Sequence, residues 1–180
     1  MDGPLLSTGR LLLRPHRLDD FEALYTMWAA PEVYRHILGR PSTREEAWMR
    51  LLRYAGLWSL LGYGYWAVED KASGLYIGDI GFADFHRDMD PPLGNTPEMG
   101  WMIAPRYHGK GVATEALTAM LDWAAKTLPH KDCVCFISDE NAASIALARK
   151  VGFAKDYEST YRGDPVTVYR RRLRLRPAVG

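Results

Sequence analysis

Cysteine is scarce in this chain, with only Cys133 and Cys135 among 180 residues. Two thiols make no metal site alone. On a strand their i, i+2 spacing points both to one face, and free cysteine packs like a small hydrophobe, so they read as buried core thiols. They suit a soluble, reducing, cytoplasmic setting. An excess of one charge is also missing: 23 Lys and Arg stand against 22 Asp and Glu, a net charge of +1. That balance argues against a general nucleic-acid binder. Met1 to Arg10 carries no apolar run of signal-peptide type. Leu51 to Val68 is the most apolar region, but it contains Arg53 and three glycines. It reads as helix end, turn and strand, not as a membrane span. His36, His86, His108 and His130 do not cluster at metal-ligand spacing. No repeat, low-complexity tract or long linker divides the chain, so a single domain over 1–180 is expected.

What the chain does have is Arg106-Tyr107-His108-Gly109-Lys110-Gly111-Val112-Ala113, between an apolar strand-like run and a long amphipathic helix. The first amides of a helix have no internal partner, and the helix dipole adds partial positive charge there. A loop of this kind is an anion site, and a phosphate or pyrophosphate is the obvious anion. Spacing narrows the choice. Gly109-Lys110 is followed by Gly111, so no hydroxyl is placed for Mg²⁺ as in a P-loop. Thr114 stands where a dinucleotide loop needs a third Gly or Ala, and no glycine-rich turn opens the first strand.

The rest of the chain reads in order. Gly9 to Pro15 is a short strand. Asp19 caps a helix with Glu22 in capping-box position. Pro31 starts a helical turn. Ser42 or Thr43 caps the next helix with Glu45 or Glu46, and its apolar face is Trp48, Leu51, Leu52, Ala55 and Trp58 up to Gly62. A hairpin follows over 65–69 and 75–82, then a loop over 87–97 and a strand over 98–103 that Pro105 stops. A helix over 112–128, a strand over 133–137 and a helix over 141–150 lead to two last strands, 154–160 and 166–175. The fold class is therefore α+β: a mixed, mostly antiparallel central sheet of about seven strands with helices on both faces. One parallel βαβ crossover, through helix 112–128, lies at the anion site.

The pattern R-x-x-G-x-G-x-A, matched at Arg106, Gly109, Gly111 and Ala113, resembles the acyl-CoA pyrophosphate loop of the GNAT N-acetyltransferase superfamily. The element order is similar to the GNAT fold over nearly the whole chain. Arg10-Leu-Leu-Leu-Arg-Pro with Asp19-Asp20, Glu98-Met99-Gly100-Trp101, the run from Gly109 to Ala116, and Asn141-Ala-Ala-Ser144 with Lys150-Val-Gly-Phe153 resemble the branch containing ribosomal-protein N-terminal acetyltransferases. The resemblance implies acetyl-CoA as acyl-donor cosubstrate, no metal, direct transfer to a primary amine, and a homodimer as a candidate assembly. The acceptor is a protein N-terminus or a small amine. The alternative function is a non-catalytic acyl-CoA-binding module or sensor.

Acetyl transfer sets four demands: hold the pyrophosphate, polarise the thioester carbonyl, neutralise the amine, and protonate the departing thiolate. Backbone amides from His108 through Gly109, Lys110, Gly111, Val112 and Ala113 answer the first, with Arg106 and Lys110 as supporting charges. A plain glycine-rich turn is the competing reading. The resemblance implies that Met102 and Ile103 pair with pantetheine at a splayed strand end. The resemblance also implies a base at the start of this strand, commonly working through water, which makes Glu98 the candidate base or substrate anchor, against a half-exposed strand-end carboxylate. Asp84 and Glu158 are weaker candidates. The resemblance implies an acid toward the thiolate on helix 141–150, in many members a tyrosine; none stands there, and Ser144 lies where the ribosomal-protein branch carries a serine, so it is the candidate donor, against a first-turn serine bonded locally. Asn141 caps that helix in any case, and the resemblance adds a pantetheine hydrogen bond. Trp28, Tyr34, Trp48, Trp58 and Tyr63 read as core packing or cleft walls. Arg170 to Arg172, Arg174 and Arg176 read as a solvated strand edge or, less simply, a nucleic-acid patch.

Overall fold

The computed structural model describes residues 3–35, 37 and 39–173; His36, Arg174 and Arg176 lie outside the described residues. In chain order the elements are β1 (Leu6–Ser7), β2 (Leu11–Arg14), a 3₁₀ turn (Leu18–Asp20), α1 (Phe21–Trp28), α2 (Pro31–Tyr34) and α3 (Arg44–Leu61). Next come β3 (Tyr65–Asp70), β4 (Leu75–Ala83), β5 (Met89–Asp90), β6 (Glu98–Ile103), a second 3₁₀ turn (Pro105–Tyr107) and α4 (Val112–Thr127). The chain ends with β7 (Asp132–Ile137), α5 (Ala142–Lys150), β8 (Ala154–Tyr161) and β9 (Asp164–Arg172).

The strands form one nine-stranded mixed sheet in the order β1-β2-β3-β4-β6-β7-β9-β8-β5. β6 and β7 run parallel, joined through α4. The pairs β1–β2, β2–β3, β3–β4, β5–β8, β7–β9 and β8–β9 are antiparallel. This is the expected α+β class. The strands beyond the expected seven are β1 and β5, each two residues long. Two residues carry no alternation to read. By packing, the chain divides into two compact units. One takes in residues up to Gly81 with Trp101–Ala119; the other takes in Phe82–Gly100 with residues from Met120 on.

In the first unit, β2 buries Leu11 and Leu13, and also Arg14. The Arg14 guanidinium donates to both oxygens of Asp20 at 2.7 and 2.8 Å and to Glu69 at 2.6 Å. Asp20 also accepts the Arg17 amide at 2.7 Å. The expected cap at Asp19 is therefore corrected. A 3₁₀ turn precedes α1, and Asp20 rather than Asp19 turns back onto the chain. Thr43 and Glu46 form the expected capping box of α3. Its buried face is Ala47, Leu51, Tyr54, Leu57 and Trp58, while Trp48 and Leu52 are exposed. The expected face was thus rotated. α3 carries large apolar residues nearly all round, and two stripes overlap in its sequence. Tyr54 stacks on Tyr65 at 4.4 Å, and Trp58 meets Trp66 edge-on at 4.6 Å. Both indoles find acceptors: Trp58 on the Tyr65 carbonyl at 2.9 Å and Trp66 on that of Pro4 at 2.7 Å. Trp28, Trp58 and Tyr63 are buried core aromatics; Trp48 is not.

In the second unit, β7 alternates. Cys133 and Cys135 are free, buried and on one face, as their spacing requires. Val134 faces the other way and packs with Met89, Val166 and Val168. Burial pushes the Cys133 thiol up to about 12 and Cys135 well above its ordinary value, so neither is a nucleophile at neutral pH. β9 lies between β7 and β8. The expectation of a strand edge at Arg170–Arg172 is therefore corrected. Arg170 instead donates to Asp156 at 2.6 Å.

Candidate active site

The loop after β6 is held from several sides. Tyr107 and His108 donate their amides to Ala104 and Pro105, closing the 3₁₀ turn. The Glu115 amide donates to the Gly111 carbonyl at 3.0 Å, the first bond of the α4 ladder. Gly111 is thus the N-cap residue, and the amides of Val112, Ala113 and Thr114 precede any i→i−4 partner. A serine or aspartate cap would cover those amides with its own oxygen; glycine leaves them open. Gly111 has φ +74 and Gly109 φ +72, a region that side chains with a Cβ enter at a cost. Arg106 and Lys110 are exposed, and each charge lies within cation–π range of the Tyr107 ring, at 5.2 and 5.7 Å. The expectation of a free amide at His108 is corrected, because that amide closes the turn on Pro105 at 3.0 Å. Its ring Nε2 sits 2.7 Å from the Ile103 carbonyl. A carbonyl only accepts, so Nε2 carries the proton.

Below this loop, Arg10 and Thr8 form a clamp. Glu115 accepts the Thr8 hydroxyl at 2.6 Å, the Arg10 amide at 2.9 Å and Arg10 Nε at 2.7 Å. Burial pushes the Glu115 carboxyl up, but those three donors together hold it below the usual carboxylate range. Arg10 Nη1 continues to the Lys110 carbonyl at 2.9 Å.

Met102 and Ile103 close β6. A Cβ on Gly78 of β4 would lie 2.2 Å from the Met102 carbonyl oxygen, so β4 runs too close for any residue but glycine. Ala104 donates to the Ile77 carbonyl at 2.8 Å. Ile103 is buried and Met102 half-buried. Among the described residues the register of β6 with β7 is the single pair Glu98↔Val134.

Glu98 itself is not the half-exposed strand-end carboxylate of the bland reading. It is buried, with Arg87 Nε 2.5 Å from one oxygen and Nη2 2.7 Å from the other. Arg87 Nη1 goes on to the Tyr161 hydroxyl at 2.8 Å, and its guanidinium lies over the rings of Phe85, Phe136 and Tyr161. The pair borders a cavity of 270 Å³ lined also by Asp84, His86, Asn95 and Thr96. Glu158 is 76% exposed and paired with Lys155, away from that lining. On α5, the Asn141 side chain accepts the Ser144 amide at 3.1 Å, the expected cap. Ser144 is half-buried, and its backbone, not its hydroxyl, makes that bond.

Residues 10–154 match the family model described as the acetyltransferase (GNAT) domain. The chain belongs to the GNAT acetyltransferase family. It is 28% identical to the N-acetyltransferase p20 of Bacillus licheniformis over 97% of this chain and 98% of that one. It is 33% identical to YkkB of Bacillus subtilis (strain 168), over 62% of this chain and 63% of that protein's length. The acetyltransferase of Agrobacterium tumefaciens str. C58 superposes with a TM-score of 0.81 at 30% identity, covering 95% of each chain. RimL, a ribosomal L7/L12 α-N-protein acetyltransferase solved with coenzyme A, shares the fold with a TM-score of 0.78. Its identity is 17%, over 96% of this chain and 100% of that one.

Two parts of this GNAT chain were not legible beforehand as site structure. Thr8 and Arg10 lie about a hundred residues from Glu115, and no local spacing links them. Arg87 sits in a loop interrupted by Pro91, Pro92 and Pro97, so its partnership with Glu98 left no periodic trace. Among the described residues no group of three or more His, Cys, Asp or Glu is placed to hold a metal ion. Among them, too, no helix is long and apolar enough to cross a membrane.

Proposed function

We propose that this chain transfers an acetyl group from acetyl-CoA directly to a primary amine, both substrates being bound together. The observation that carries the reading is the N-terminus of α4. A glycine N-cap leaves the amides of Val112, Ala113 and Thr114 open, with Arg106 and Lys110 beside them. Open amides, the helix dipole and two cations fit a diphosphate. Acetyl-CoA supplies the activated acyl group as a thioester. The amine nitrogen attacks its carbonyl carbon, the C–S bond breaks, one amine proton is lost and the thiolate takes up a proton.

Ser144 is the donor to the departing sulfur, since its hydroxyl is not the group that closes the α5 cap. Glu98 acts as an anchor rather than a base: each of its oxygens already accepts from Arg87, and together they present a neutral pair. An α-amine titrates near ~8 and loses its proton to water with little help, whereas a lysine side chain near ~10.4 needs more. No cysteine takes the acyl group, because both thiols are buried with raised pKa values. Two buried free thiols also suit a reducing cytoplasm.

The test is thiol release from acetyl-CoA by the purified protein against a mixed library of peptides and small amines. Acceptor-dependent release supports transfer. Tight acetyl-CoA binding with no release for any amine leaves a non-catalytic acyl-CoA-binding module instead.

A further inference from the structure

Two contacts pin the peptide that ends β6. The Ala104 amide donates to the Ile77 carbonyl of β4 at 2.8 Å. His108 Nε2 donates to the Ile103 carbonyl at 2.7 Å. The Ile103–Ala104 peptide is planar and trans, so its N–H and C=O point in opposite directions. The Ile103 carbonyl therefore faces away from β4. His108 is an exposed residue with water to bond, yet its ring turns back five residues onto this one oxygen. A carbonyl oxygen accepts two hydrogen bonds, and the ring takes one of them. The His108 amide meanwhile closes the 3₁₀ turn on Pro105 at 3.0 Å. The far end of the loop has a different support: Arg10 Nη1 holds the Lys110 carbonyl, and Glu115 holds Arg10. The two supports have no residue in common.

We propose that the His108 ring is a positioning residue for the pantetheine arm of acetyl-CoA, acting through the Ile103 carbonyl, while the diphosphate does not depend on it. By holding that carbonyl the ring sets the strand end beside which an extended arm pairs. It leaves the oxygen one lone pair for an amide N–H of the arm. The corner at which the arm leaves β6 for the loop is thus fixed before the ligand arrives. The diphosphate cradle depends instead on Arg10, which orients the Lys110–Gly111 peptide. The role of His108 rests on the acetyl-CoA reading. Its competitor is a direct contact between the imidazole and the diphosphate.

Acetyl-CoA and ADP, which has a diphosphate but no arm, are titrated by calorimetry into the full-length protein. The proteins are wild type, His108→Phe, His108→Gln and Arg10→Ala, each checked by thermal melting. Phenylalanine keeps a ring without a donor; glutamine supplies an amide N–H without a titrating ring. His108→Phe should weaken acetyl-CoA about three- to tenfold, the loss of one hydrogen bond. ADP should stay within about twofold, as for an independent site. His108→Gln should recover most of the loss, and Arg10→Ala should weaken both ligands. Unchanged or tighter acetyl-CoA binding in His108→Phe overturns the proposal, since the ring is then idle or in the way of the arm. Equal weakening of ADP and acetyl-CoA also overturns it and gives the ring to the diphosphate. In both cases a wild type that prefers acetyl-CoA to ADP keeps the acetyl-CoA reading. A wild type that binds acetyl-CoA no better than ADP removes that reading, and the role of His108 with it.

Discussion

Arg10 Nη1 donates to the Lys110 carbonyl at 2.9 Å across a sequence separation of 100. The Lys110–Gly111 peptide is planar and trans, so its C=O and N–H point in opposite directions. Fixing the carbonyl toward Arg10 turns the Gly111 amide away from it. Glu115 holds the guanidinium from the other side and is itself held by Thr8. On the proposed reading, Arg10 is a positioning residue for the loop that would hold the diphosphate. The Arg10–Glu115 pair has side-chain exposures of 52% and 22%, so its worth to stability is small, about 0–1 kcal/mol. Arg10→Ala should raise the KM for acetyl-CoA about five- to tenfold, the loss of one charge-assisted hydrogen bond, with kcat within twofold. Steady-state kinetics with acetyl-CoA varied decides it. A fall in kcat at unchanged KM would sink the assignment.

Gly111→Asp and Gly111→Asn separate strain from charge at the cradle. Both side chains must adopt φ +74, which Asn and Asp tolerate better than other residues with a Cβ. They are nearly isosteric, so the difference between them is one negative charge beside the proposed diphosphate position. Two unit charges ~4 Å apart near a protein surface interact by roughly 4 kcal/mol, which sets an upper limit near a thousandfold. Acetyl-CoA binding is expected to weaken much more in Gly111→Asp, and the gap is expected to narrow in high salt. Equal losses in both variants would mean that the loop is only a structural turn.

The same loop shows what sequence makes legible. Its glycines, its helix and its caps are local features, and Thr43 with Glu46, Asn141 and the strand at 98–103 all lie where spacing put them. Features that depend on partners far along the chain were hidden. Asp20 rather than Asp19 turns the chain into α1 because Arg14 waits in β2 to bind it. The face of α3 was misread because Trp48 and Leu52 are as apolar as Leu57 and Tyr54, and only the packing partners choose between them. Arg170–Arg172 resembles a guarded edge, but strand order, which periodicity does not report, places β9 inside the sheet.

Asp20 makes folding stability depend on pH. Burial pushes its carboxyl up, but the hydrogen bonds from Arg14 and the Arg17 amide outweigh burial and leave it below its ordinary value. A depressed folded pKa contributes stability above the unfolded value, near ~3.9, and loses it as pH falls through the folded value. Tm should therefore decline from about pH 5 downward. Asp20→Asn should flatten that decline. At neutral pH it should cost somewhat less than the ~3–5 kcal/mol of a broken buried pair, because Glu69 still binds Arg14. Thermal melts across pH for both proteins check this. An unchanged acid slope in Asp20→Asn would assign the loss to other carboxylates.

Ser144→Ala tests the proposed role of Ser144 as donor to the departing thiolate. The cap on α5 is made by the Ser144 amide to Asn141 at 3.1 Å, and alanine keeps that amide. The expected stability change is therefore within about 0.5 kcal/mol. Removing the hydroxyl removes a donor that matters only as charge develops on sulfur, so kcat should fall while the KM for acetyl-CoA stays put. A thiolate is a good leaving group, so the loss should lie near the low end of the ~10²–10⁴ seen for proton-transfer groups, and it should shrink as pH is lowered and water protonates the sulfur more readily. Ser144→Thr keeps a hydroxyl and should recover part of the rate. Unchanged turnover in Ser144→Ala with a full set of amines returns Ser144 to the role of a first-turn helix serine.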